Sequence, residues 1–199
     1  MLENKIIIVG GGHAGIEAAF AASRIGVPSC IVTLNKDAIA RLSCNPAVGG
    51  LAKSHLVNEI DALGGIMGAA ADSCGIQFKT LNKTKGRAVW AHRAQIDKKK
   101  YPLYIKKLLS KNQNISVLED EVVELKIKKN CVVGVKTKKG QDLMCGAVLI
   151  TCGTFLNGLI HIGSQTYEAG RIGEKRSSGL TEHLFSLGFQ LGRLKTGTP

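Results

Sequence analysis

Two short stretches hold residues whose types and spacing could do chemistry. In "KIIIVGGGHAGIEAA", Gly10, Gly12 and Gly15 form G-x-G-x-x-G. The first glycine makes a tight turn, the second admits a pyrophosphate, and the third lets a helix meet a sheet, with the phosphates at the helix N-terminus. In "LSCNPAVGG", residues 42–50, Cys44 stands before Asn45 and Pro46 and ahead of paired glycines. A lone cysteine is ordinarily packed as a small hydrophobe. Here Asn-Pro favours a turn, because proline drives the preceding residue towards extended backbone. Gly49 and Gly50 allow the chain a close approach, so the loop presents Cys44 instead of hiding it.

The glycines need a strand before them and a helix after them. Residues 6–9 are a continuous apolar run, as in a strand buried on both faces. Ala18, Ala19 and Ala22 let the following helix pack closely until Gly26 ends it. A second strand follows at residues 29–34. The acidic residue expected after it, to hold ribose hydroxyls, is replaced by Asn35, with Asp37 close behind. Residues 37–93 then form a long excursion that should build a cover over the cofactor, and Cys44 lies within it. Helical patterning runs through "AKSHLVNEIDALGG" and "MGAAADSCG", and "IQFKTL" reads as extended. The stretch "RAQIDKKKYPLYIKKLLS" has the pattern of an amphipathic helix that Pro102 should kink or split.

Downstream, alternation predicts a third parallel strand, an antiparallel meander across residues 121–146 with turns near Asn130 and Gly140, and a buried strand at 147–151. That strand runs into Cys152 and Gly153, a glycine at the carboxyl end of a parallel strand, where open α/β sheets bind ligands. A helix over 180–187 and a short extended end complete the chain. The fold class is therefore α/β: a Rossmann-like nucleotide-binding domain with a parallel sheet, helices and a small antiparallel meander.

Composition bounds the function. The chain has 199 residues, 44% hydrophobic and 21% charged, enough for one domain with a core. No apolar run reaches the roughly 20 residues of a membrane span, and the first strand starts too near Met1 for a cleavable signal. This reads as a cytoplasmic protein with no membrane partner. Six cysteines show neither C-x-x-C spacing nor nearby histidines, so neither a metal site nor a disulfide framework is expected. A net charge of +12 suits a polyanionic partner. It is equally the mark of solvated faces, since lysines cluster at 98–100, 106–107, 126–129 and 136–139.

Together, "GGGHAGIEAA", "SCNPAVGG", "VNEIDALGG", "GIQFKTLNKTKG", "RAQID", "TCGTFLNGLIHIG" and "GRLKTGTP" resemble, in order and spacing, the MnmG (GidA) family of wobble-uridine tRNA modification flavoproteins. The resemblance implies FAD as cofactor, NADH as its reductant and a folate one-carbon donor. It also implies tRNA as substrate and the GTPase MnmE as partner, with a homodimer that forms a heterotetramer with MnmE. The product would be an aminomethyl or carboxymethylaminomethyl group at carbon 5 of the wobble uridine. By the same carry-over, Cys44 would lie beside the flavin and act on the uracil ring as a thiolate. Gly10, Gly11, Gly12, His13, Ala14 and Gly15 would hold the FAD pyrophosphate, Val122 would meet the adenine through backbone groups, and Ser177 would contact the cofactor.

Departures from the family pattern are Arg87, where a proline is usual in K-G-P-A-V, and Lys175-Arg176, where a proline pair precedes the serine. The family also runs on into an NADH-binding insertion and a C-terminal helical region absent from this sequence, which implies a fragment inactive alone. Two competing readings are a non-catalytic nucleotide-binding remnant and a relative of the folate-dependent tRNA uracil methyltransferases. "SCNPA" and "GIQFKTLNKTKG" favour the MnmG family over the latter.

Overall fold

The structure, a computed structural model, describes residues 4–43 and 45–197. The chain opens with β1 (Ile6–Val9), α1 (His13–Arg24) and β2 (Ser29–Thr33). An excursion follows: β3 (Ala47–Gly49), α2 (Ser54–Ala62), α3 (Met67–Cys74), β4 (Gly75–Leu81) and β5 (Ala91–Ile96), which α4 (Lys100–Lys111) and β6 (Ile115–Glu119) return to the sheet. Next come β7 (Val122–Lys128), β8 (Cys131–Thr137), β9 (Asp142–Met144) and β10 (Ala147–Ile150), then β11 (Ile160–Ile162), β12 (Gln165–Tyr167) and α5 (Leu180–Ser186).

The parallel sheet has the order β10-β1-β2-β6, and three antiparallel sheets surround it: β3-β5-β4, β7-β8-β9 and β11-β12. Because successive side chains in a strand point to opposite faces, β1 and β2 serve two cores. Ile8 and Ile31 pack with Ile16 and Ala19 of α1 and with Ala71, Tyr101 and Ile105 of the helical layer. Ile7, Val9, Cys30 and Val32 face the other way, against Val122, Leu125 and Val135 of the meander and Leu180 and Leu184 of α5. Ile7, Ile8 and Ile31 are fully buried. Each such side chain contributes about 1.5–3 kcal/mol relative to an exposed one, and this is why the first strand reads as an unbroken apolar run.

Three expectations are corrected. The amphipathic segment does not begin at Arg93: residues 93–96 belong to β5, paired with both β3 and β4. The helix starts at Lys100, where Asp97 Oδ1 accepts the backbone N–H groups of Lys99 and Lys100 at 2.9 and 3.0 Å. Pro102 neither kinks nor splits it, since proline falls in the first turn, where an N–H has no intrahelical partner. The strand at 147–150 is not fully buried: β10 pairs only with β1 among the described strands, and Leu149 and Ile150 are 41% and 40% exposed. The β11–β12 hairpin was not legible, because strands of three residues each are too short to establish a period: Ile160-His161-Ile162 alternates only once and Gln165–Tyr167 not at all.

Candidate functional site

The glycine turn lies between β1 and α1, at the carboxyl end of the sheet. Gly10 has φ +115° and a Cβ there would sit 2.5 Å from the Thr151 carbonyl oxygen, so both conformation and space require glycine. Gly15 is tighter still, since its Cβ would meet the Gly10 carbonyl oxygen at 2.1 Å, and helix and strand touch there. Gly12, at the N-cap of α1, is the opposite case: nothing lies within 4 Å of an added Cβ, and no side chain caps the helix. The turn thus keeps an open face in front of unpaired helix N–H groups, the arrangement that accepts an anion. Gly11 packs below it, 3.0 Å from Ile39 and Thr33 by the same measure.

His13 and Ala14 begin the helix. The His13 ring lies 5.7 Å from that of Tyr101, and its Nε2 is buried with no hydrogen-bond partner among the described residues. Burial holds its pKa below the ordinary 6.5, so the imidazole is neutral at pH 7.

Two other strand ends reach this turn. The Thr151 hydroxyl donates to the carbonyl oxygens of Val9 and Gly10 at 2.9 and 3.2 Å, locking the end of β10 onto the turn. Cys152 follows, its thiol pushed up to about 11 by burial and so held protonated at neutral pH. Gly153 (φ +58°) has open space at its Cβ position. At the end of β2, Asn35 is exposed, and its Oδ1 accepts the Asp37 N–H at 2.7 Å, capping the short turn Lys36–Ala38.

Val122 and Ser177 form a second group. Asp120 N–H donates to the Thr33 carbonyl at 3.0 Å, which sets the start of β7 beside the end of β2. Val122 is buried in the meander core. Glu121, also buried, accepts from Ser178 N–H at 2.6 Å and from Lys138 Nζ at 2.8 Å, tying Ser177 to the strand that carries Val122. Ser177 is itself buried, donating its N–H to the Phe155 carbonyl. Cys44 lies outside the described residues. Thr151 and Glu121 were not identified from sequence. For Thr151 the signal was its place directly before Cys152-Gly153, whereas Glu121 gave none, because its partners are 17 and 57 residues away. Among the described residues no group of three or more His, Cys, Asp or Glu could hold a metal, and no helix is long and apolar enough to cross a membrane.

A strand, a glycine turn and a helix at the carboxyl edge of a parallel sheet, backed by an antiparallel meander, define a Rossmann-like α/β protein. A family model described as "Glucose inhibited division protein A" matches residues 5–199, and the chain belongs to this GidA family. It is 51% identical over 197 residues to the tRNA uridine 5-carboxymethylaminomethyl modification enzyme MnmG of Aquifex aeolicus, covering 99% of this chain and 32% of the relative. The MnmG of Thermodesulfovibrio yellowstonii is 52% identical over 194 residues, 98% of this chain and 31% of the relative. The solved structure of Aquifex aeolicus GidA superposes with a TM-score of 0.93 at 51% identity, over 98% of this chain and 32% of that one. The chain thus spans about a third of the length of the curated relatives it matches.

Proposed function

We propose that this chain holds FAD on its glycine turn, as the nucleotide-binding part of a flavoenzyme that modifies the wobble uridine of tRNA. The observation that carries the reading is the open face at Gly12, bounded by two glycines, Gly10 and Gly15, that leave no room for a side chain. The residues fit the group: backbone N–H groups of Gly11, Gly12, His13 and Ala14 would face its pyrophosphate. Asn35 would reach the ribose through its amide nitrogen, and backbone atoms of Val122 the adenine. Gly153 and Ser177 would line the remainder. A neutral His13 adds no charge to the site, so the helix dipole and N–H groups alone carry anion recognition. When bound, FAD supplies reversible hydride and electron transfer.

In this reading the names of the relatives supply the tRNA substrate. NADH serves as reductant, a folate as one-carbon donor and MnmE as partner, in a homodimer that joins MnmE as a heterotetramer in the cytoplasm. Cys44 supplies a thiolate to the uracil ring, forming and later releasing a covalent bond to carbon. Two substitutions in the full-length enzyme test this. Gly12→Val blocks pyrophosphate approach and yields purified protein depleted of flavin, and unchanged flavin content removes the cofactor assignment. Cys44→Ser abolishes tRNA modification, read by mass spectrometry of nucleosides, while the flavin spectrum stays intact. Loss of both together makes Cys44 a packing residue instead.

A further inference from the structure

The antiparallel sheet β3-β5-β4 turns Val48, Ala94 and Ile96 into the core on one face, where Phe78 of β4 stays 59% exposed, and leaves the other face open. On the open face Lys79 of β4 stands directly opposite Arg93 of β5, and the next row pairs Gln77 with Gln95. Together with Leu81 these four line a recess of about 220 Å³. Like charges directly opposed across two strands destabilise a sheet, and although Asp61 and Asp72 line a neighbouring cavity that both residues reach, neither carboxylate pairs with them. Neither side chain has an ion pair or hydrogen bond among the described residues. Residues 75–96 contain no aspartate or glutamate, yet they also hold Lys83, Lys85 and Arg87. The third position of the Lys79–Arg93 row is Gly49 on β3, which brings no side chain to the row. Where the strands join, Arg87 covers the Trp90 ring at 5.7 Å, and the Trp90 indole N–H donates to the Lys85 carbonyl at 3.1 Å. The cations of this hairpin are therefore carried on a fixed scaffold.

We infer that the open face of the β4–β5 hairpin is the RNA-holding surface of this chain, with Lys79 and Arg93 gripping one backbone phosphate and the paired glutamines beside them. It rests on the reading of an RNA substrate given above and assigns that contact to named residues. A phosphate between the two cations turns their repulsion into attraction, and the guanidinium offers it a bidentate contact. Cations spread along the hairpin follow a charged backbone, which a single small anion would not need. The sheet is also tied to the turn that precedes β3, since the Ile96 N–H donates to the Pro46 carbonyl at 2.7 Å.

The test measures binding of the 199-residue chain to a fluorescein-labelled anticodon stem–loop RNA, with an unmodified uridine at the wobble position, across a salt series. The doubly substituted Lys79→Gln/Arg93→Gln chain binds about tenfold or more weakly, and the slope of log affinity against log salt falls by about 0.7, the share of the one single-stranded backbone phosphate that the pair no longer neutralises. Its melting temperature does not fall, since the like-charge pair is gone. The exchange Lys79→Arg/Arg93→Lys keeps binding within about twofold. Removing two charges elsewhere, Lys107→Gln/Lys111→Gln on exposed α4 positions, changes affinity much less. Equal loss in that control, equal loss in the exchange variant, or unaltered binding in the first variant each overturns the inference. Flavin uptake is read on the same samples. A chain that takes up flavin but ignores the Lys79–Arg93 change defeats this inference alone, and one that shows the RNA effect without flavin defeats the cofactor reading alone.

Discussion

Gly12 and Gly15 are three residues apart in one turn and answer substitution in opposite ways. A methyl group at Gly15 would overlap the Gly10 carbonyl oxygen, whereas one at Gly12 meets open space. Gly15→Ala therefore loses about 1–3 kcal/mol of stability through forced separation of α1 from β1, while Gly12→Ala leaves the melting temperature nearly unchanged. Thermal melts of the two variants check the contrast. His13 makes a separate prediction. Burial lowers its pKa, so below the ordinary value of 6.5 the unfolded chain binds a proton that the folded chain refuses. Stability then falls as the pH drops below about 6.5. His13→Phe, which keeps a ring against Tyr101, flattens this part of the profile. Asp97 titrates elsewhere, since backbone N–H groups hold its pKa below 3.8 and its contribution is lost only in stronger acid. At Cys152, a thiol raised to about 11 should react with iodoacetamide far more slowly than the exposed Cys131.

The elements legible in the sequence were those set by local pattern. The unbroken apolar run of β1, the alternation of β7 and β8 and the turn residues Asn130 (φ +58°) and Gly140 (φ +86°) needed no knowledge of the rest of the chain. What sequence missed depended on distant partners. The segment at residues 93–96 became a strand because β3 and β4 flank it, and pairing outweighs the helical periodicity it shares with α4. Glu17 shows the same limit. It sits on α1, yet its carboxylate accepts the backbone N–H groups of Ile66 (3.1 Å) and Met67 (2.7 Å) and so caps α3 from 49 and 50 residues away. Glu17→Ala removes this cap and should cost about 1 kcal/mol, with faster amide exchange in α3 as the local sign. The candidate site divides likewise. Its glycines announce themselves by spacing, but the Thr151 buttress and the Glu121 tie appear only once strands far apart in sequence have met.

At the scale of the whole molecule the parallel sheet is sealed unevenly. Helices cover one face and the meander the other, but the outer strand β10 leaves Leu149 and Ile150 partly open to solvent. An apolar edge of this kind templates association. The 199-residue chain should therefore sediment with a mass that grows with concentration, and Leu149→Lys should suppress that growth without lowering the melting temperature. The route of the chain between β2 and β6 has its own consequence. These two strands are parallel neighbours, with Ser29 opposite Ile115 and Thr33 opposite Glu119, and α4 alone suffices as the crossover between them. The β3-β5-β4 sheet with α2 and α3 therefore enters at a point where strand order is indifferent to its presence. Such a piece is a cassette in connectivity: it can be lengthened or exchanged over evolutionary time without rewiring the sheet, provided that its replacement still covers Ile8 and Ile31 as Ala71 and Ile96 do, so what the scaffold holds and what it acts upon are free to diverge along separate lineages.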